Sequence, residues 1–303
     1  MMFKNITIAG GGVLGSQIAF QTAYFGYEVK LYDINEDAVK AADEKLDKLV
    51  ARYTEFFGDQ SKAESARKRI STTVNLEDAL QDSDLLIEAV PEKKEIKVDF
   101  YTQVAKVAPE KTIFATNSST MVPSDFAEYT GRPEKFLALH FANEVWKNNT
   151  GEVMGHAGTD KKYEEEVLKF AESIGLIPLH VLKETPGYIL NSILVPFLEA
   201  GKKLYISGVA DIETIDKTWM AATGMNMGPF GALDVIGLNT DYHITLANAE
   251  KNDDELLLKF ANLMKEEYID KGNLGVSTGK GFYTYPNPSF KSEDFIVRLG
   301  QEK

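Results

Sequence analysis

An α/β fold is predicted, a doubly wound, mostly parallel sheet followed by an all-helical C-terminal domain, and three observations predict it. Apolar, strand-like runs alternate with helical patterns up to Val181. A glycine-rich turn, Gly10-Gly11-Gly12-Val13-Leu14-Gly15, joins the first of these runs to a helix. Past Pro186-Gly187 the strand pattern stops and only helical stretches with apolar faces remain. The chain has 303 residues, and at about 150 residues per domain two are expected, 1–185 and 186–303.

Taken in order, residues 5–9 read as a short buried strand, and a helical pattern follows the turn through Gly26. Residues 28–33 form a second strand, which completes a βαβ unit. Residues 35–70 are charged and helical, with no strand expected among them. Further buried strands are expected at 84–90, 112–117 and 136–141, with a last one at 176–181. In the second half, 190–206, 212–223, 240–249 and 254–271 read as helices.

Composition narrows the function. Hydrophobic residues are 44% and charged residues 26%, values of an ordinary globular chain. No run approaches the ~20 apolar residues of a membrane helix. A signal peptide is not expected either, because a strand already begins at Asn5. Lys plus Arg total 33 against 46 Asp plus Glu, a net charge of −13, which disfavours nucleic acid and anionic membranes as partners. Cysteine is absent. Disulfides, zinc-thiolate sites and thiol catalysis are thereby excluded, no metal is expected, and a reducing cytoplasm is the expected location.

Gly10-x-Gly12-x-x-Gly15 between strand and helix has the form of a dinucleotide fingerprint. The first glycine permits the tight turn, the second admits the pyrophosphate, and the third lets helix and strand pack closely. Asp33 ends the second strand 18 residues after Gly15, where a carboxylate accepts from ribose hydroxyls and repels a 2′-phosphate. A Rossmann-type domain binding NAD rather than NADP is therefore expected.

His140 ends a predicted parallel strand, where open α/β sheets build their sites, and Glu152 follows in what reads as a polar loop. The pair suits alcohol oxidation, with imidazole taking the proton and the carboxylate holding its tautomer. Spacing alone equally allows a satisfied core histidine beside an unrelated surface glutamate. Thr116-Asn117-Ser118-Ser119-Thr120 could bind a substrate oxygen, though helix capping explains those residue types more simply. Lys62, Arg67, Lys68 and Arg69 form a basic cluster, either a solvated helix face or a grip on substrate phosphates. Gly279-Lys280-Gly281 fails the P-loop pattern.

These segments together resemble the 3-hydroxyacyl-CoA dehydrogenase family, over about residues 3–285. The fingerprint, with Val13 and Leu14 inside it, matches the family's N-terminal one. Ile87-Glu88-Ala89-Val90-Pro91-Glu92 with Lys97 is similar to its IEAV-x-E segment, which implies Glu92 and Lys97 beside the nicotinamide ribose. Thr116 to Thr120 resembles SNTSS, implying a substrate-binding Ser119 and a site Asn117. His140-Phe141-Ala142-Asn143 with Glu152 resembles HFFNP and its glutamate, implying a catalytic pair and a cofactor contact at Asn143. Pro186 to Asn191 resembles PGF-x-x-N, implying Asn191 as a fourth catalytic residue.

The resemblance implies NAD-dependent interconversion of a (3S)-3-hydroxyacyl-CoA and a 3-oxoacyl-CoA in fatty acid metabolism, and a homodimer formed through the helical domain. The chain length favours a short-chain enzyme of the 3-hydroxybutyryl-CoA dehydrogenase kind. Alternatives are the same chemistry on a free hydroxy acid, as in gulonate dehydrogenase relatives, or an NAD-binding structural protein like lens crystallin relatives. The chain departs from the family pattern at Ala142, Glu144, Trp146 and Ser192, which bears on the acyl group, and Trp146 with Lys147 is expected to place new bulk and charge near the substrate.

Overall fold

The computed structural model describes residues 3–296. The chain divides into two compact units, Met1–Asn191 and Ser192–Lys303. In the first, it runs through β1 (Asn5–Ala9), α1 (Val13–Tyr24), β2 (Glu28–Tyr32), α2 (Glu36–Phe57), α3 (Gln60–Lys68) and β3 (Ile70–Thr73). It continues through α4 (Leu76–Leu80), β4 (Leu85–Glu88), α5 (Lys94–Val107), β5 (Ile113–Thr116) and β6 (Phe136–Phe141). The antiparallel strand β7 (Thr150–Met154), then α6 (Lys161–Ser173) and β8 (Ile177–Val181), complete the sheet.

The eight strands lie in the order β3-β2-β1-β4-β5-β6-β7-β8. All neighbours are parallel except β6 and β7. The chain reverses direction across the sheet between β1 and β4, and this is the switch point where such sheets bind ligands. Strands β4, β5 and β6 are buried at every position, as a sheet covered on both faces requires.

Local sequence sets the helix ends. Asn35 caps α2 through the Ala38 N–H, Gly58 ends it at φ 73°, and Asp59 caps α3 through Lys62 N–H. Helix α1 is buried from Gly15 to Tyr24, because the sheet covers one side and α2 and α3 the other.

Two sequence expectations are corrected. β3 begins at Ile70, at the end of the stretch expected to be strand-free. Its four residues, Ile-Ser-Thr-Thr, are too short and polar to show a period, and pairing with β2 makes the strand. Glu152 lies in strand β7, not in a loop, because Thr150-Gly151-Glu152 acquires its ladder from β6 and β8.

The second unit is helical. α7 (Tyr188–Ile206) starts in the first unit, and α8 (Ile212–Thr223), α9 (Pro229–Ile236), α10 (Leu238–Asn252) and α11 (Glu255–Glu267) follow. Phe230, Leu233, Leu238, Phe260 and Met264 centre its core. Two buried carboxylates organise it. Asp216 accepts from the Phe230 and Gly231 N–H groups at the start of α9, and Asp234 accepts from Phe282 and Tyr283 N–H. A Cβ on Gly281 would fall 1.9 Å from Asp234 Oδ1, so the Gly279-Lys280-Gly281 segment is shaped by this packing. No helix among the described residues is long and apolar enough to cross a membrane.

Candidate active site

The glycine turn sits at the switch point. Gly10 has φ 102°, and a Cβ there would fall 2.4 Å from the Ala89 carbonyl oxygen at the end of β4. A Cβ on Gly15 would fall 1.9 Å from Gly10 O, so α1 can pack on the turn only without a side chain. Gly12 differs. A Cβ there meets nothing within 4 Å, and Gly12 caps α1 with no side-chain hydrogen bond. The first N–H groups of α1 therefore have no side-chain cap competing for them beside an open glycine, which suits a pyrophosphate. Asp33 is held against the turn, one oxygen accepting from Gly11 N–H at 2.7 Å and the other from Ile34 N–H at 2.7 Å. The residues present fit a dinucleotide.

At the far side of the switch, His140 on β6 faces Glu152 on β7 as register partners. His140 Nδ1 lies 2.9 Å from Glu152 Oε2, with both residues buried. An ionised carboxylate only accepts, so Nδ1 carries the proton and Nε2 is the free end of the neutral ring. Ser119 Oγ lies 3.1 Å from that Nε2. The other oxygen of Glu152 accepts from Ile189 N–H at 2.8 Å and Leu190 N–H at 3.0 Å, in the first turn of α7. Burial works to raise the Glu152 pKa, but the His140 hydrogen bond and the two backbone donors outweigh it and hold it below the usual value. Asn191 lies in the same turn, its N–H on Gly187 O.

The loop carrying Ser119 hangs on one carboxylate oxygen. Glu92 Oε1 accepts from Ser118 Oγ (2.5 Å), Ser119 N–H (3.0 Å), Thr120 N–H (3.1 Å) and Thr120 Oγ1 (2.8 Å). These residues do not cap a helix. Lys97, itself buried, bridges Glu92 Oε2 at 3.1 Å and Glu88 Oε1 at 2.5 Å. Burial pushes Glu92 up, yet Lys97 and the Ser118 and Thr120 hydroxyls lower it further and the net shift is downward. Asn117 accepts from Phe141 N–H at 3.0 Å, and Asn143 Oδ1 accepts from Gln17 Nε2 at 2.8 Å.

The basic residues are not brought together. Arg67 is bound by Asp43 and Asp47, each at 2.7 Å. Lys62 Nζ sits 4.2 Å from the Tyr24 ring centroid. Lys68 and Arg69 line a cavity with Asn5, Glu28, Lys30 and Asp82, at the opposite end of β1 and β2 from the glycine turn. Trp146 likewise packs on Tyr53 of α2, with ring centroids 5.5 Å apart.

Three residues escaped the sequence reading. Gln17 holds the Asn143 loop, its carbonyl accepting from Glu144 N–H at 2.8 Å. No local signal set Gln17 apart, since Ser16, Gln21 and Thr22 are polar and buried in the same helix. Glu88 anchors Lys97, Tyr101 and Thr116. Tyr188 stacks on His140, a contact that no local pattern announces.

Two family models cover most of the chain. The NAD-binding domain of 3-hydroxyacyl-CoA dehydrogenase matches residues 5–185, and its C-terminal domain matches residues 187–285. A hydroxyacyl-coenzyme A dehydrogenase of Sus scrofa is 33% identical over 294 residues, covering 94% of this chain and 92% of that protein. A probable 3-hydroxybutyryl-CoA dehydrogenase of Bacillus subtilis is 32% identical over 293 residues, covering 94% and 98%. A solved diketoreductase, described for dual catalysis of dicarbonyl compounds, is 49% identical with a TM-score of 0.90, covering 94% and 100%. With the fingerprint and the His140–Glu152 pair in one sheet, the chain belongs to the 3-hydroxyacyl-CoA dehydrogenase family of NAD-dependent oxidoreductases.

Proposed function

We propose that this chain interconverts a short-chain (3S)-3-hydroxyacyl-CoA and its 3-oxoacyl-CoA, as a cytoplasmic homodimer formed through the helical unit. The observation that carries the reading is the Glu152–His140–Ser119 line, a buried carboxylate–imidazole pair that leaves one imidazole nitrogen aimed at a half-buried hydroxyl.

NAD would be held by the Gly10–Gly15 turn, Asp33, Glu92, Lys97, Asn117 and Asn143, and when bound it supplies the acceptor or donor of the hydride. In oxidation, neutral His140 takes the C3 hydroxyl proton at Nε2. Glu152 holds the proton-bearing Nδ1 and stabilises the imidazolium that forms. In reduction, the imidazolium returns the proton to the C3 oxygen. Ser119, already 3.1 Å from Nε2, and Asn191 hold that oxygen. Glu92, through its four accepted hydrogen bonds, keeps the Ser119 loop in place.

A second reading rests on two observations. The diketoreductase at 49% identity acts on dicarbonyl compounds, and the four basic residues form no joint grip for CoA phosphates. On this reading the substrate is a free dicarbonyl compound or hydroxy acid, and the residue roles are unchanged.

The test is NADH oxidation with acetoacetyl-CoA, longer 3-oxoacyl-CoAs, free keto acids and diketo esters. Highest kcat/KM with acetoacetyl-CoA supports the first reading, and preference for a free diketo compound replaces it with the second. Binding of NADH with turnover of none would leave a structural NAD-binding protein.

A further inference from the structure

The structure assigns a positioning role to Tyr188: its ring fixes the plane of the His140 imidazole. The two rings are stacked, with centroids 4.6 Å apart and planes 18° from parallel, and Tyr188 is fully buried. The inference rests on the proton-transfer role of His140 proposed above.

A hydrogen bond directs the imidazole within its own plane. It resists tilting out of that plane poorly, because hydrogen bonds tolerate bending and the ring torsion is broad. Glu152 grips only Nδ1. A flat partner against one face removes the remaining tilt, and the stack therefore holds Nε2 at its 3.1 Å from Ser119 Oγ. The groups facing His140 are Glu152 from β7, Ser119 from the loop after β5, and Tyr188 from α7.

The backbone at Tyr188 supports the assignment. Its φ is 54°, the left-handed region that a side chain with a Cβ rarely adopts. Such strain persists only where the surroundings over-determine it, and it clusters at functional sites. Here Tyr188 N–H bonds Thr185 O at 3.2 Å, and the next two N–H groups bond Glu152 Oε1. One carboxylate thus orients His140 and also fixes the turn that presses the ring onto it. Burial, then the Glu92, Glu152 and Glu88 carboxylates, raise the Tyr188 pKa, so the ring stays neutral.

The test compares Tyr188→Phe, which keeps the plate, with Tyr188→Leu and with Tyr188→Gly, which removes it while suiting the left-handed backbone. Measured are kcat and KM on the best acceptor, NADH affinity, and the downfield proton resonance of a carboxylate-bonded imidazole. The resonance is read in a His180→Gln background, because His180 also pairs with a carboxylate, Glu164. Tyr188→Phe should stay within about threefold in kcat and keep the resonance. Leu and Gly should lower kcat roughly 10–100-fold, the scale of a small misplacement, and lose the resonance, with KM and NADH affinity within about threefold. Wild-type kcat in the Leu or Gly variant would overturn the assignment. So would a Phe variant as impaired as Leu, or NADH affinity falling in step with kcat. If wild type reduces no acceptor, the proposed function fails, and the resonance comparison alone still decides the role of Tyr188.

Discussion

Glu152 faces His140 directly across the single antiparallel pairing of the sheet, and its two carboxylate oxygens are divided between the imidazole and the first turn of α7. The division gives each substitution a separate signature. His140→Gln should lower kcat by roughly 10²–10⁴-fold, the usual worth of a positioned acid–base group, with NADH binding and melting temperature retained. Glu152→Gln should slow turnover and also lower Tm, since an amide keeps one acceptor but cannot serve both the imidazole and the helix turn as a carboxylate does. A His140→Gln enzyme near wild-type kcat on its best substrate would remove the mechanism.

Acid stability should report the same carboxylate. Glu152 and Glu92 each have an ordinary value of 4.5 and are lowered in the fold. A lowered carboxyl contributes stability that is present above the unfolded value and lost as pH falls through the folded one. Tm should therefore fall steeply below about pH 4.5. Both Glu152→Gln and Glu92→Gln should show lower Tm at neutral pH and a shallower acid limb. Melting curves with the same acid slope in all three proteins would count against this account of the site.

How much of this could be read from the sequence depends on the range of each interaction. The glycine turn and Asp33 are local, their chemistry carried by a few consecutive residues, and they lie together in the structure. The strands β4, β5 and β6 announced themselves because burial on both faces leaves an apolar run broken only near its C-terminal end, at Glu88, Thr116 and His140. β7 did not, because its strand character comes from its two neighbours. The basic cluster allowed both a solvated helix face and a phosphate grip because charge in sequence carries no partner, whereas Asp43 and Asp47 reach Arg67 from a different helix. Glu152 capping a helix 37 residues away, and Tyr188 lying on His140, are tertiary facts with no local signature.

The fingerprint glycines should separate stability from binding. Gly15→Ala places a Cβ 1.9 Å from Gly10 O, an overpacking that costs about 1–3 kcal/mol or more, and Tm should drop. Gly12→Ala enters open space. Its Tm should hardly change, while NADH affinity should fall roughly tenfold, because the methyl occupies the approach of the pyrophosphate. Calorimetry with NADH titration checks both, and a Gly12→Ala protein binding NADH like wild type would move the phosphates elsewhere.

The cofactor preference should rest on Asp33. Its oxygens are fixed by Gly11 and Ile34 N–H groups, so the carboxylate cannot swing away from a 2′-phosphate. Two charges ~4 Å apart at an effective dielectric of ~20 repel by about 4 kcal/mol, close to 10³-fold in affinity. Asp33 is partly exposed, and screening by salt brings the expected NAD preference to roughly 10²–10³-fold. Asp33→Ser removes the charge and leaves a hydroxyl near the turn. It should narrow the ratio of kcat/KM for NAD over NADP by at least about tenfold, chiefly through KM, because the contact is remote from the hydride and equal in ground and transition states. Raising ionic strength should narrow the wild-type ratio but not that of the variant. Equal efficiency with NAD and NADP in the wild type, or a variant with an unchanged ratio, would show that selection lies outside Asp33.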